Sequence, residues 1–145
     1  MIAVDSNIRV FAHRRDSPWY SAAFEQVRIL AEGATPWALP WPCIYEYFGV
    51  VTHARIYTPP SSVAEALAQI DVWLDSPSCV LLSEASEYWT TLRRILAGGH
   101  IRGGQVHDAK IAALCVLHGV TELWSADRDF SRFPSLKTRN PLIGT

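Results

Sequence analysis

Four short apolar runs along the chain have the length and composition of buried strands. Each run is continuous rather than alternating, which is typical of strands covered on both faces. The runs are Ile2–Val4, Trp37–Leu39, Cys79–Leu82 and Leu123–Ala126. A further short edge strand is predicted around Leu136 to Thr138.

Between these runs, apolar residues recur at the spacing of amphipathic helices. After the first strand, Asp5-Ser6-Asn7 favours a turn into a helix, and Ser17-Pro18 supplies an N-cap and first-position proline for a helix through about Leu30. Pro40 and Pro42 bracket the entry to a third helix. The first inward faces are predicted to comprise Phe24, Val27 and Leu30, and then Ile44, Tyr47, Phe48 and Val51.

The later helices have stronger boundary signals. Ser62 with Glu65 three residues later forms a capping-box pattern. A helix predicted over residues 84–97 ends at a glycine pair, and one over 108–118 is apolar on nearly all sides, as expected for burial between neighbours. The inward faces are predicted to comprise Val63, Leu67, Ile70 and Leu74, then Tyr88, Leu92 and Ile95, and finally Ile111, Ala112, Leu114, Cys115 and Leu117; Trp73, Trp89 and Trp124 are also expected in the core.

Strands that alternate with helices predict an α/β fold with a mostly parallel sheet and helices on both faces. In such sheets the ligand crevice lies beyond the carboxyl ends of the strands. Asp5 and Asp127 directly follow predicted strands, and Asp108 lies in the first turn of a helix that begins at the same edge. We therefore expect these acids to converge in space.

Composition is that of an ordinary globular protein. The 145 residues, 49% of them hydrophobic, fit a single domain spanning 1–145. Three cysteines without a Cys-x-x-Cys pair suggest neither a disulfide framework nor a zinc ribbon. The sequence has no signal peptide pattern and no apolar span of membrane length, which predicts a cytoplasmic protein without a membrane partner.

The overall charge does not indicate a nucleic-acid partner. Thirteen basic and fourteen acidic residues give a formal net charge of −1, so any phosphate binding must be local. A glycine-rich segment over 98–105, expected to be mobile, carries His100 and Arg102 just before Asp108. Arg9 and Arg102 are among the arginines that either contact RNA phosphates or are merely solvated.

A cluster of carboxylates needs a compensating charge. Two carboxylates 4 Å apart repel by about 1 kcal/mol in water and about 4 kcal/mol at an effective dielectric constant of 20. An all-oxygen cluster favours Mg²⁺, with Mn²⁺ as a substitute, over zinc. Such a site can hydrolyse a phosphodiester, with one cation or with two. Taken alone, however, a single aspartate after a strand is more often a helix N-cap.

Four segments carry a resemblance to a known family. They are Val4-Asp5-Ser6-Asn7, the segment Pro42-Cys43-Ile44-Tyr45-Glu46-Tyr47, the segment His107–Leu114 that contains Asp108, and Trp124-Ser125-Ala126-Asp127-Arg128-Asp129-Phe130. In this order, and over nearly the whole length, the chain resembles the PIN-domain nucleases, specifically the VapC toxins of toxin–antitoxin pairs.

The resemblance implies a set of site residues and a fold. It implies Asp5 and Asp108 as the principal Mg²⁺ ligands, Glu46 as a further acid, and Asp127 as the fourth, with Asp129 as a rival or helper. Asn7, Ser6 or Ser125 would orient them. The implied fold is a three-layer sandwich with a central, mostly parallel sheet. We favour Asp127 over Asp129 because it directly follows the strand.

The resemblance also implies an activity and partners. The activity is Mg²⁺-dependent endoribonuclease cleavage of structured RNA such as transfer or ribosomal RNA, which would inhibit translation. The partners are a second copy in a homodimer and a VapB-like antitoxin whose segment fills the groove at the site. Trp37 and Trp41, among prolines near the Glu46 helix, are a weaker hypothesis for an aromatic groove that serves either partner.

Two other functions compete with this one. A metal-dependent phosphatase would share the acidic site, but an aspartyl nucleophile usually needs a second acid two residues later, where this chain has Asn7. A catalytically silent interaction module would keep the fold and lose an acid. All four motif positions are filled, so this reading ranks third.

Overall fold

Five strands form one sheet in the computed structural model, which describes residues 1–143. The strands are β1 (Ile2–Val4), β2 (Trp37–Pro40), β3 (Cys79–Leu82), β4 (Glu122–Trp124) and β5 (Thr138–Arg139). Their order is β3-β2-β1-β4-β5, and each neighbouring pair is parallel. The predicted parallel α/β sheet is confirmed. Gly144 and Thr145, the end of the predicted domain, lie outside the described residues.

Helices connect these strands. They are α1 (Ser6–His13), α2 (Tyr20–Glu32), α3 (Trp41–Val51), α4 (Val63–Leu74), α5 (Tyr88–Gly98) and α6 (Val106–Leu117), with 3-10 helices at Gly103–Gln105 and Arg128–Arg132. The predicted capping box is present, since the Ser62 hydroxyl accepts from the Glu65 N–H and the Glu65 carboxylate accepts from the Ser62 N–H. Over residues 1–143, no helix has both the length and the apolar character needed to cross a membrane.

Successive strand residues point to opposite faces of the sheet, and each face has its own core. Ala3 and Leu123 pack with α5 and α6, whereas Val4 and Trp124 pack with α1, α3 and α4. Helices therefore cover both faces, which gives the three layers expected from the sequence. Helix α6 supplies six buried residues to the first core, as its nearly uniform apolar pattern predicted.

Several predicted boundaries differ from those observed. Helix α2 begins at Tyr20, three residues after Ser17, because the Ser17 hydroxyl accepts from the Trp19 N–H in a preceding turn and does not cap the helix. Helix α5 begins at Tyr88, after a turn at residues 86–87. Strand β4 begins at Glu122 and ends at Trp124, and β5 begins at Thr138, two residues after the predicted start of the edge strand at Leu136.

Some residues predicted to face the core are exposed. Phe24 on α2, Val63 and Leu67 on α4, and Trp89 on α5 all lie at the surface. Val80 and Leu81 are also exposed, because β3 is an edge strand and not a central one. The core positions predicted for these residues are therefore wrong: within residues 1–143, no neighbouring element covers their side chains.

Candidate active site

Asp5 lies at the carboxyl end of β1 and is almost completely buried. Its backbone continues the pairing with β4, because the Asp5 N–H donates to the Trp124 carbonyl oxygen at 2.9 Å. Its side chain caps α1, since Oδ1 accepts from the Ser6 N–H at 2.7 Å. Asp5 therefore has the capping role that is common for an aspartate directly after a strand.

Two polar side chains hold the Asp5 carboxylate: Asn7 on α1 and Ser125 directly after β4. Oδ2 of Asp5 accepts from the Ser125 hydroxyl at 2.7 Å and from the Asn7 amide at 3.3 Å. The same amide donates to the Ser125 hydroxyl oxygen at 3.1 Å, and its carbonyl oxygen accepts from the Ala126 N–H at 3.1 Å. Asn7 and Ser125 thus fix the ends of β1 and β4 relative to each other.

Burial is the main influence on the ionisation of Asp5. It raises the pKa of the Asp5 carboxyl, and the negative charge of Glu46 raises it further, while hydrogen bonds from Ser125, Ser6 and Cys43 lower it. The Cys43 contact was not predicted from the sequence: its fully buried thiol lies 3.5 Å from Oδ1 of Asp5. In the sequence, only the position of Cys43 one helical turn before Glu46 on α3 could have indicated this contact.

Asp108 lies in the first turn of α6, at the same edge of the sheet. Its side chain is half-buried, and burial raises the pKa of its carboxyl. The negative charges of Asp127, Asp5, Glu46 and Asp129 raise it further, to about 6. The charges of the four other predicted acids thus all act on the ionisation of Asp108.

Asp127 and Asp129 follow β4 on either side of the start of the second 3-10 helix. Asp127 is half-buried and caps that helix, because its Oδ1 accepts from the Asp129 N–H at 2.8 Å. The Asp127 N–H donates in turn to the Ser125 hydroxyl oxygen at 3.0 Å. Asp129 is more exposed, and its carboxylate lies 3.6 Å from the Arg132 guanidinium.

Three of these acids are close enough to bind one metal ion together. Asp108, Asp127 and Asp129 each offer a carboxylate oxygen within 4.8 Å of the other two. Asp5 and Glu46 lie outside this group of three but near enough to affect Asp108. The cluster offers oxygen ligands of high negative charge, which suit a hard divalent cation such as Mg²⁺ or Mn²⁺.

Glu46 is solvent-exposed on α3, on the side away from the helix's buried residues, as its spacing predicted. Its charge raises the pKa values of both Asp5 and Asp108. Glu46 is therefore an acid of this region that solvent can reach.

Two residues suggested for RNA or partner contact are buried and cannot serve that purpose. Arg9 on α1 is 0% exposed, with its guanidinium 4.4 Å from the centre of the Trp73 ring. Trp37 is also 0% exposed, in β2. Arg9 lies within the apolar stretch Ile8 to Ala12, and this was the available signal that its side chain turns inward.

Comparison with known proteins supports an assignment to one family. The family model for the PIN domain matches residues 2–136. Ribonuclease VapC43 of Mycobacterium tuberculosis is 33% identical over 144 residues, which cover 99% of this chain and 97% of that protein.

Two solved structures have the same fold. A chain from the crystal structure of VapBC2 from Rickettsia felis, bound to a DNA fragment from their promoter, aligns with a TM-score of 0.67 at 19% identity, covering 97% of this chain and 98% of that one. The crystal structure of Mycobacterium tuberculosis VapC20, described as a sarcin-ricin loop cleaving toxin, aligns with a TM-score of 0.66 at 16% identity, covering 90% and 93%.

Proposed function

Because this chain belongs to the PIN-domain family and, within it, to the VapC ribonucleases, we propose that it is the toxin of a type II toxin–antitoxin system. In this proposal it is a Mg²⁺-dependent endoribonuclease whose catalytic residues are Asp5, Glu46, Asp108 and Asp127. We further propose that residues 1–145 form a single PIN domain in the cytoplasm.

The observation that carries the proposal is the convergence of five acids at one edge of the sheet. Burial first, and then repulsion between uncompensated carboxylates, raise the pKa of Asp108 to about 6. A chain that keeps such an arrangement needs a countercharge of some kind. A divalent cation would supply that countercharge and would attract the phosphodiester that is to be cleaved.

The donor set fits Mg²⁺ or Mn²⁺. The oxygens of Asp108, Asp127 and Asp129 lie within 4.8 Å of one another, and Asp5 is held in one orientation by Ser125 and Asn7. We propose Asp5, Asp108, Glu46, Asp127 and Asp129 as the residues that hold the cation, Glu46 and Asp129 at its margin. When bound, the cation would make water more acidic and stabilise negative charge on the phosphate.

The protein's own groups have separate tasks in this mechanism. The Ser125 and Asn7 hydrogen bonds hold Oδ2 of Asp5 in place, so that little reorganisation is needed when substrate arrives. In this proposal Glu46, which is exposed and whose charge acts on both Asp5 and Asp108, would accept a proton from the attacking water. The buried side chains of Ala109 and Phe130 support the two segments that carry Asp108, Asp127 and Asp129.

We propose structured RNA, such as transfer or ribosomal RNA, as the substrate and a VapB-like protein as the antitoxin. The structural relatives support both, since one is a VapBC complex and the other is described as cleaving the sarcin-ricin loop. A groove of about 760 Å³ between α1, α2 and α4 supports a protein partner, because the exposed apolar residues Phe24 and Val72 line it. The homodimer remains a prediction, to be tested by light scattering.

The proposal is tested by mapping RNA ends. The purified chain, free of any partner, is incubated with total cellular RNA and Mg²⁺ or Mn²⁺, alongside EDTA and an Asp5→Asn variant. Discrete cuts that need the cation and are absent from the variant would support the nuclease. Equal cutting by both proteins, or cutting that EDTA does not affect, would indicate contamination and refute the carboxylate mechanism. Absence of any cutting would favour the silent interaction module.

A further inference from the structure

A second cavity opens at the same edge of the sheet as the acids. It has a volume of about 380 Å³, and it is lined by residues that directly follow the ends of two strands: Trp41 and Pro42 after β2, and Ser83 and Glu84 after β3. Strand β2 is the neighbour of β1, whose end carries Asp5. The cavity therefore lies at the same edge of the sheet as the acidic cluster, along the crevice where parallel sheets bind their ligands.

The cavity and the acidic cluster also share two helices. Tyr45 of the cavity directly precedes Glu46 on α3, and Lys110 of the cavity follows Asp108 by two residues on α6. Any movement of α3 or α6 would change both regions together. A ligand that spans the cavity and the acids would thus contact the same two helices in both regions.

One wall of the cavity is an aromatic platform. The Trp41 and Tyr45 rings, one helical turn apart, are stacked with centroids 6.0 Å apart and planes inclined by 26°. Tyr45 is 66% exposed and Trp41 is partly exposed. Tyr88 also lines the cavity. Exposed aromatic faces of this kind bind flat, unpaired nucleobases by stacking, without a strict sequence preference.

The rim of the cavity is polar. Within residues 1–143, neither the Lys110 ammonium nor the Glu84 carboxylate has an ion-pair partner closer than 4 Å, so both are available to a ligand. His118 donates from Nε2 to the Ser83 carbonyl oxygen at 2.8 Å, which ties this wall to α6. An ammonium donor and carboxylate and hydroxyl acceptors match the mixed donors and acceptors on the edge of a base.

We propose that this cavity binds one unpaired nucleobase of the RNA, next to the phosphate that lies at the acidic cluster. The inference rests on the proposed function for the identity of the polymer. In this site the base stacks on Trp41 and Tyr45 while Lys110 and Glu84 contact its edge. The cavity thereby selects RNA with a base turned out of its helix near the cleavage point.

The test uses an eight-nucleotide single-stranded RNA with one 2-aminopurine, whose fluorescence falls when it stacks on an aromatic ring. Binding is measured in Ca²⁺, which takes oxygen ligands, and a gel confirms that the RNA is intact. We expect the wild-type chain and the Tyr45→Phe variant to quench the 2-aminopurine fluorescence. We expect Tyr45→Ala to bind about tenfold more weakly and to lose the quenching. Trp89→Ala removes an equally prominent aromatic, 61% exposed and outside the cavity, and should match wild type.

Other results would overturn the proposal. These are absence of quenching by the wild-type chain, or identical behaviour of Tyr45→Ala and Trp89→Ala. Light scattering tests the alternative that a second copy of this chain occupies the cavity. If Tyr45→Ala lowers the molar mass by one copy and leaves RNA binding unchanged, the surface is an interface between copies of this chain.

The two proposals can fail separately. If the wild-type chain cuts no RNA in Mg²⁺ but its quenching depends on Tyr45, the nuclease proposal fails and the base site stands. If the wild-type chain cuts RNA and Tyr45→Ala quenches like wild type, the base site fails and the nuclease stands.

Discussion

The Ser125 hydroxyl donates a hydrogen bond of 2.7 Å to Oδ2 of Asp5, a residue 120 positions earlier in the chain. The same hydroxyl oxygen accepts from the Asp127 N–H and from the Asn7 amide. One side chain therefore fixes the position of an acid from β1 relative to an acid after β4. The acidic cluster depends on this link between two neighbouring parallel strands.

Removal of that hydroxyl should weaken both fold and function. In Ser125→Ala, Asp5 loses the 2.7 Å hydrogen bond from the Ser125 hydroxyl while it stays buried, which costs about 1 to 3 kcal/mol of unfolding free energy. Ser125→Thr keeps the hydroxyl and should retain stability and RNA cleavage. Urea denaturation and cleavage assays measure the two effects. Equal stability of Ser125→Ala and wild type would show that the bond does not support the site.

The raised pKa of Asp108 predicts a specific dependence of stability on pH. An acid whose pKa is raised from 3.8 to about 6 by folding stabilises the fold when protonated. That contribution is complete below pH 3.8 and is lost as the pH rises through about 6. The cation-free chain should therefore lose stability from this group between pH 5 and pH 7. Added Mg²⁺ should restore it at pH 7, because the cation binds the folded state.

Asp108→Asn isolates this effect. The variant cannot titrate at position 108, so its stability should fall less than that of wild type between pH 5 and pH 7. His13, whose pKa is lowered by burial, acts in the opposite direction but equally in both proteins, so it cancels in the difference. Parallel pH profiles of the two proteins, measured by urea denaturation, would contradict the prediction.

Asp127 and Asp129 should contribute unequally to cation binding. Asp127 is half-buried and fixed by its hydrogen bonds to Asp129 and Ser125, whereas Asp129 is exposed and beside Arg132. Asp127→Asn should lower Mn²⁺ affinity by at least about tenfold, and Asp129→Asn by less. Calorimetric titration with Mn²⁺ measures both affinities. A larger loss in Asp129→Asn would reverse the assignment.

The buried Arg9 side chain should destabilise the folded protein. Its guanidinium is fully buried and, within residues 1–143, has no hydrogen-bond partner; its contacts are the faces of Trp73 and Tyr47. Desolvation of an ion costs several kcal/mol, whereas a buried cation–π contact returns about 2 kcal/mol. Arg9→Met should therefore raise the unfolding free energy by about 1 kcal/mol or more.

Arg9→Lys is the matched variant for this prediction. It keeps the charge but places a more strongly hydrated ammonium among the rings, so it should be less stable than wild type. If instead Arg9→Met were less stable than wild type in urea denaturation, the contacts of Arg9 with Trp73 and Tyr47 would outweigh the cost of desolvating its charge.

The sequence predicted the features that depend on local chemistry. The Ser62–Glu65 capping box needs only two side chains three residues apart, and it forms as predicted. The parallel sheet followed from the alternation of strands and helices. The convergence of Asp5, Asp108 and Asp127 followed from their places at strand and helix ends, since parallel strands end at one edge.

Features that depend on distant partners were not predictable from the pattern. Trp89 has the spacing of a core residue, but whether another element covers it is not encoded in the spacing, and it is exposed. Arg9 is charged, yet it is buried because Trp73 lies against it from 64 positions away. Cys43 contacts Asp5 across 38 positions. Each of these outcomes is decided by which elements pack together.

The most direct test of the central claim is the rate at which one mapped RNA is cut as Mg²⁺ is varied. Wild type, Asp108→Asn and a control, Asp71→Asn on the exposed side of α4, are compared at equal concentration. Wild type and Asp71→Asn should show saturable dependence on Mg²⁺. Asp108→Asn should cut at least about a hundredfold more slowly at the highest Mg²⁺ concentration. Equal rates for Asp108→Asn and Asp71→Asn would contradict the claim that the acidic cluster cuts RNA.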